Sequence, residues 1–134
     1  MSVKTNKRKL GEEIEAQCVF YLQSKGVKIL NKNYSCRFGE VDIIGLVKTP
    51  DLINPDMLTD TLVFYEVKFK KTGKNDVAEA AVNIRKQRNI CRVSDYYRMM
   101  NHISEDTGIR FDVIGVNDRI ITLYENAFEY IPVM

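Results

Sequence analysis

The sequence predicts a mixed α/β fold in which a central β-sheet is flanked by helices. Apolar residues recur at helical spacing over residues 8–25, and residues 61–70 are β-branched and aromatic, as in a buried strand. The predicted elements follow the order helix, three strands, helix, and one or two strands. With 134 residues, 45% of them hydrophobic, the chain has the size of a single domain spanning 1–134.

In the first half of the chain, the helix over 8–25 carries an apolar stripe and is stopped by Gly26. Strands are predicted over 27–33 and 40–47, with a turn at 34–39 between them. The segment TPDLINPDMLTD contains two prolines and predicts a long surface loop, about 48–60.

In the second half, alternation along the strand at 61–70 directs Leu62, Phe64, Glu66 and Lys68 to one face. A second helix is predicted to about residue 101. Its predicted N-cap is Asn75 or Asp76, and its predicted apolar stripe is Val82, Ile90, Val93, Tyr97 and Met100. Strands over 109–116 and 120–124 follow, joined by a turn at 117–118.

Composition argues against several classes of protein. The three cysteines are odd in number and lack metal-site spacing, which favours a reducing, cytoplasmic protein over a disulfide framework or a zinc site. No run approaches the roughly 18 apolar residues of a membrane span, so we expect neither export nor membrane insertion. The net charge of +2 is small, but the positive residues cluster over 4–9, 68–74 and 85–92.

Charged residues interrupt two strongly apolar strands. Asp42 lies within GEVDIIG, and Glu66 and Lys68 lie within LVFYEVKF. If the two strands are neighbours, Asp42 and Glu66 repel each other unless a proton or a cation lies between them. Mg²⁺ or Mn²⁺ fits hard oxygen ligands of this kind, and the carbonyl of Val67 is a further candidate ligand.

Lys68 shares a strand face with Glu66, where its amine is available to orient or deprotonate a water, or to neutralise charge at phosphorus. The alternative is a surface ion pair of Glu66 with Lys68, worth roughly 0 to 1 kcal/mol, and an Asp42 that merely ends its strand.

Two helical residues are charged where the apolar stripe continues. Glu15 falls at the edge of the first helix's stripe, and Lys86 occupies an apolar position in the second helix. Both are predicted to face the sheet near the carboxylates. The alternative for each is a side chain that covers the core with its stem and keeps its charge in water.

Several segments together resemble a known family, the uncharacterised YraN-like proteins. The segments are LGEEIEAQCVFYLQSKGVKIL, NKNYSCRFGEVDIIG, LVFYEVKFK, AAVNIRKQRNI and RFDVIGV, in the family's order. That family is similar to archaeal Holliday junction resolvases in the PD-(D/E)xK nuclease superfamily. The resemblance implies a restriction-endonuclease-like core in α-β-β-β-α-β order.

The resemblance also implies roles for individual residues. Asp42 and Glu66 would hold the metal and Lys68 would be the catalytic lysine. Glu15, the glutamate of the first helix, would complete the catalytic residues, and Lys86 and Gln87 would lie beside the site. The sequence departs from the family's pattern in four places: Ile14 replaces a glycine, no proline precedes Asp42, Tyr65 replaces a smaller residue, and the loop at 48–60 is longer.

Three functions compete at this stage. The first is a nuclease acting on DNA, including branched or junction DNA, with phosphates contacted by residues 4–9 and by Lys70, Lys71, Lys74, Arg85, Lys86 and Arg88. The second is a nucleic-acid-binding protein with the nuclease fold and little or no cleavage. The third is a scaffold that uses the C-terminal segment ENAFEYIPVM for contacts. The resemblance to resolvases also suggests a homodimer.

Overall fold

The computed structural model of the chain describes residues 3–70 and 81–133, with side chains over 7–69 and 81–133. Over these residues it contains two helices and one five-stranded sheet. The elements are α1 Val3–Ser24, β1 Lys28–Cys36, β2 Gly39–Pro50, β3 Leu58–Lys70, α2 Ile84–Met100, β4 Gly108–Asn117 and β5 Ile120–Phe128.

The strands lie in the order β1-β2-β3-β4-β5, so each strand pairs with its neighbours in the chain. All pairs are antiparallel except β3 with β4, which are parallel because α2 connects them. The predicted class, a mixed sheet flanked by helices, is confirmed, and it agrees with a restriction-endonuclease-like core. Of the two predicted numbers of C-terminal strands, two is correct.

The core has two layers, one on each face of the sheet. Ile14, Cys18 and Leu22 of α1 pack on one face against Val63 and Tyr65 of β3. On the other face, α2 packs against β2, β3 and β4 through Ile90, Cys91, Val93 and Tyr97. Residues 62–65 of β3 are almost completely buried, as expected of a central strand covered on both faces.

Two glycines, Gly26 and Gly45, allow α1 and β2 to pack against each other through the segment that joins α1 to β1. Gly26 has a φ of +89°, and the Val27 N–H donates to the carbonyl of Leu22 at 3.0 Å, so the glycine ends the helix as predicted. At Gly45, strand β2 passes very close to the side chain of Val27. A Cβ atom there would lie 2.6 Å from Cγ1 of Val27, so only glycine fits.

The connections around β2 are shorter than predicted. Strand β1 continues to Cys36, so the turn to β2 is formed by residues 37–38 rather than 34–39. Strands β2 and β3 remain paired as far as Pro50 and Leu58. The predicted long loop at 48–60 is therefore wrong in extent, since only residues 51–57 connect the strands. Its predicted exposure is confirmed, because Leu52 and Ile53 are fully or almost fully exposed.

Helix α2 begins later than predicted. Asn83 is its N-cap, with its side chain accepting the N–H of Lys86 at 2.9 Å, and residues 81–83 are not helical. The predicted caps, Asn75 and Asp76, lie outside the described residues. The predicted end near Asn101 is confirmed. Met100 is 54% exposed, so its assignment to the buried stripe was wrong.

The last strand differs from its prediction at both ends. The turn residues are Asp118 and Arg119, one position later than predicted, and both have positive φ. Strand β5 also continues past the predicted end at 124 to the buried Phe128. Beyond it, the hydroxyl of Tyr130 donates to Asp95 of α2 at 2.9 Å. The aromatic C-terminal segment thus packs in part against its own chain.

Cys18, Cys36 and Cys91 are all free thiols, and two of them are buried. Neither described helix has the length and apolar character needed to cross a bilayer.

Candidate functional site

The carboxylate of Asp42 lies where the pairing of β2 with β3 stops. The paired residues run from Pro50 with Leu58 to Ile43 with Tyr65. Beyond that point the N–H of Val67 donates to Oδ2 of Asp42 at 2.7 Å. A side chain thus replaces the backbone carbonyl that the partner strand would otherwise supply.

Side-chain alternation in β2 breaks at the same place. Val41 and Ile44 pack in the core layer of α2, whereas Ile43 packs in the layer of α1. Asp42 lines a groove together with Ile14 of α1, so Asp42 and Ile43 both face α1 although they are consecutive. This irregularity directs the carboxylate to the end of the sheet instead of into the core.

Glu66 lies on the opposite face of β3, towards α2. Its Oε1 is 3.6 Å from Nζ of Lys86, and only 15% of its side chain is exposed. The predicted common face of Leu62, Phe64 and Glu66 is confirmed, because the first two pack in the core layer of α2. The alternative of an exposed surface pair does not describe Glu66, since it is mostly buried.

Lys68 is held at the end of the same face. Its Nζ donates a hydrogen bond to the carbonyl of Ala81, in the segment that precedes α2. The next residue of that segment, Val82, accepts a hydrogen bond from Nε2 of Gln87 at 2.8 Å. Gln87 therefore supports the segment that Lys68 contacts.

The electrostatics connect the two carboxylates. The pKa of Glu66 is raised from 4.5 to about 7, because burial and, to a smaller extent, the negative charge of Asp42 outweigh the lowering effect of Lys86. Burial also raises the pKa of Asp42, against the lowering effects of the Val67 N–H and Lys86. Asp42 and Glu66 are therefore close enough to repel each other, as the neighbouring strands predicted.

Glu15 reaches the same end of the sheet from α1. Nδ2 of Asn33 donates to its two carboxylate oxygens at 2.8 and 2.9 Å. Its charge raises the pKa of Asp42, and both residues line one groove. The predicted orientation of Glu15 towards the sheet is confirmed. The contact of Asn33 with Glu15 was not predicted from the sequence, because a polar residue at the end of a predicted strand indicates the start of a turn.

The basic residues fall into three groups. Lys86 lies in the first turn of α2 beside Glu66, whereas Arg85 and Arg88 are exposed on the same helix. Residues 7–9 are exposed near the start of α1. The side chain of Lys70, together with Lys71 and Lys74, lies outside the described residues. Two of the three predicted basic clusters are thus visible, and both lie on helices that approach the carboxylates.

The carboxylate oxygens of Asp42 and Glu66 suit some kinds of metal site better than others. Over residues 3–70 and 81–133, no three His, Cys, Asp or Glu side chains lie close enough together to hold a metal ion by themselves. Asp42 and Glu66 form a pair of hard oxygen donors whose mutual repulsion a cation would relieve. This suits Mg²⁺ or Mn²⁺, which take one or two carboxylates and keep several waters, but it does not suit a closed protein cage.

Comparison with known sequences identifies the family. The family model described as Uncharacterised protein family UPF0102 matches residues 14–116. These residues contain Glu15, Asp42 and Glu66, which together form the carboxylate centre. The chain belongs to the UPF0102 family. The resemblance to YraN-like proteins is therefore confirmed. Residues 7–9 and the C-terminal segment lie outside the part matched by the UPF0102 model.

Relatives match over nearly their whole length. A UPF0102 protein of Alkaliphilus oremlandii is 43% identical over 126 residues, covering 90% of this chain and 98% of the relative. One from Thermodesulfovibrio yellowstonii is 39% identical, covering 89% and 95%. One from Lachnoclostridium phytofermentans is 36% identical, covering 92% and 96%.

Proposed function

We propose that this UPF0102 protein is a divalent-metal-dependent nuclease that hydrolyses phosphodiester bonds of DNA, including branched or junction DNA. The observation that supports this best is that Asp42 and Glu66 lie at the same end of the sheet, near enough for their charges to interact, with Lys86 and Lys68 beside Glu66. Keeping two carboxylates this close costs stability, so a function that needs them explains the arrangement better than folding does.

In this proposal Asp42 and Glu66 hold Mg²⁺ or Mn²⁺, with the carbonyl of Val67 as a further ligand. The bound ion would polarise a phosphoryl oxygen and acidify a bound water. The N–H of Val67 fixes the orientation of Asp42, and Lys86 favours the ionised form of Glu66. Glu15 is a positioning residue, because Asn33 engages both of its oxygens.

Lys68 is the catalytic lysine of the proposal. Its amine is tethered to the carbonyl of Ala81, at the end of β3 next to Glu66. To orient a water or to neutralise charge at phosphorus, the amine exchanges this hydrogen bond for one to the substrate. Residues 7–9, Arg85 and Arg88 contribute phosphate contacts, which position the DNA without reading its sequence.

The test is a cleavage assay on junction, flap, single-stranded and duplex DNA with Mg²⁺ or Mn²⁺. We expect cleavage by the wild type and its loss in Asp42→Ala, Glu66→Ala and Lys68→Ala. Glu13→Ala is the matched control for Glu66→Ala, since it removes the same kind of carboxylate from an exposed position on α1. Cleavage that persists unchanged in Asp42→Ala and Glu66→Ala would rule out the nuclease function.

A second function is favoured by a separate observation. Lys86 already forms an ion pair with Glu66, and Lys68 already donates a hydrogen bond to the carbonyl of Ala81. These features suit a protein that binds nucleic acid and does not cut it. DNA binding by the wild type without cleavage of any of the four substrates, with either metal, would select this alternative.

A further inference from the structure

Two apolar stripes that are buried along most of their length emerge at the same end of the molecule. On α1 the stripe Ile14, Cys18, Leu22 is buried, but Leu10, one turn earlier, is 46% exposed. On β3 the α1-facing stripe begins with the buried Val63 and Tyr65 and ends at Phe69, which is 45% exposed. Both stripes therefore run past the part of the core that covers them.

Their exposed ends form the walls of an open groove of about 450 Å³. Leu10 and Ile14 of α1 form one wall, and Val67 and Phe69 of β3 form the other. Lys7 also lines the groove, as do Glu15 and Asp42. The groove thus combines an apolar, aromatic lining with one cation and with a carboxylate of the proposed metal centre.

We propose that this groove binds one unpaired nucleobase of the DNA strand on which the Asp42 and Glu66 centre acts. The inference rests on the proposed function and names its substrate class, which is DNA that contains a single-stranded or extruded nucleotide next to the scissile phosphate. Phe69 is the stacking surface for the base, and Lys7 contacts a phosphate of the same strand.

The chemistry of the groove favours a base over the other parts of a nucleic acid. A phosphate between Leu10 and Phe69, away from the proposed metal, would meet apolar walls and the negative charge of Glu15, whereas a base has a flat apolar face that an aromatic ring can stack on. Bases within a duplex are covered by their neighbours and reach such a site only after leaving the stack. A groove of this kind therefore discriminates against intact duplex.

The chain contains no tryptophan, so Phe69→Trp creates a single fluorescent reporter in the groove. In EDTA, we expect single-stranded DNA to quench this fluorescence and blunt duplex to leave it nearly unchanged. Leu10→Trp provides a second reporter on the opposite wall. Phe20→Trp is the matched control, because Phe20 is exposed on α1 and lines a different surface with Ala16 and Gln17.

Affinity gives an independent readout. We expect Phe69→Ala to weaken binding of single-stranded DNA by about 5- to 150-fold, the range for loss of one stacked base, and to leave duplex affinity unchanged. Phe20→Ala should change neither affinity. Circular dichroism and urea unfolding report whether the Phe69 variants are folded, independently of any cleavage activity.

The outcomes separate this inference from the proposed function. Single-stranded DNA that binds without quenching either reporter, or that binds Phe69→Ala as tightly as wild type, overturns the inference and leaves the nuclease function standing. Equal quenching by duplex and single-stranded DNA also overturns it. A wild type that binds no DNA in any form overturns both proposals.

Discussion

Two aspartates of the sheet, Asp112 and Asp42, differ in the groups that surround their carboxylates. Asp112 of β4 is fully buried and accepts two hydrogen bonds from Arg110, each at 2.9 Å, as well as the N–H of Asn126. Asp42 accepts the N–H of Val67 and lies near the carboxylates of Glu66 and Glu15. The charge of Asp112 is therefore balanced by Arg110, whereas Asp42 lies close to other carboxylates, which is why we propose it as a metal ligand.

The first prediction contrasts the two residues. In metal-free buffer, Asp42→Asn should leave the free energy of unfolding unchanged or raise it, because the change removes repulsion and the amide oxygen can still accept a hydrogen bond. Asp112→Asn should lower it by about 3 to 5 kcal/mol, because the charge of Arg110 loses its partner. Urea denaturation in EDTA measures both. Equal losses would mean that Asp42 is structural.

The second prediction concerns pH and Glu66. Its pKa rises from 4.5 to about 7 on folding, so the folded protein holds this proton more tightly than the unfolded chain. Its contribution to stability is therefore complete below pH 4.5 and is lost as the pH rises to about 7. After allowance for solvent screening, we expect a loss of about 1 to 2 kcal/mol.

Glu66→Gln provides the comparison, because glutamine imitates the protonated acid. In EDTA the wild type should match this variant near pH 4.5 and become less stable than it by pH 7 and above. Added Mg²⁺ should restore the wild type alone. A difference between the two proteins that does not change with pH would contradict the assigned shift.

Among the elements, the β4–β5 hairpin shows how local geometry departs from sequence patterns. Asp118 and Arg119 form its two-residue turn with φ values of +52° and +80°. Such turns favour Asn-Gly or Asp-Gly because a side chain opposes positive φ. Farther along, Asn126 also has positive φ, and its N–H is captured by Asp112 where the pairing of β4 with β5 is irregular. That irregularity lets β5 continue to Phe128.

The third prediction therefore concerns the turn. Arg119→Gly should raise the free energy of unfolding by about 0.5 to 1 kcal/mol, because glycine adopts a φ of +80° without strain. Arg119→Ala is the control, since it removes the same side chain but keeps the Cβ atom. Thermal and urea unfolding measure both variants. A gain shared by the alanine variant would point to the side chain rather than to the backbone.

At the scale of the whole molecule, the described residues include exposed basic side chains near the carboxylates and a group of acidic side chains at the opposite end of the sheet, where Lys25, Lys28 and Lys48 also lie. Exposed Arg85 and Arg88 lie at the start of α2, near Glu66, and residues 7–9 lie at the start of α1. The opposite end of the sheet carries the connection at 51–57 and the segment before β4, which include Asp51, Asp56, Glu105 and Asp106. In the proposed function, Arg85 and Arg88 contact phosphates of DNA that is bound at Asp42 and Glu66.

The fourth prediction follows from this distribution. The logarithm of the DNA affinity should fall linearly with the logarithm of salt concentration, with a slope of about −0.9 per phosphate contacted. Replacing Arg85 and Arg88 with glutamine should make the slope less negative by about 2. Lys25→Gln, at the far end of α1, is the control and should leave it unchanged. An affinity that does not depend on salt would contradict the proposed contacts.

How much the sequence could predict depended on the range of the interaction involved. Amphipathic spacing placed both helices, and the β-branched run placed β3, because these patterns reflect burial of one face or two. The positions of Glu15 and Lys86 were predictable for the same reason, since a charge within an apolar stripe stands out. The turn at 118–119 and the start of α2 were misplaced, because Asp, Asn and neighbouring polar residues suit several turn and cap positions equally well.

By itself, the sequence determined the fold class, the element order and the set of charged residues that break apolar patterns, because these follow from periodicity and composition along the chain. Only the tertiary structure decided which groups surround Asp42. Its contact with the N–H of Val67, the support of Glu15 by Asn33 and the groove between Leu10 and Phe69 all join residues far apart in the chain. The carboxylate centre is therefore a product of strand register and helix packing, which local patterns do not encode.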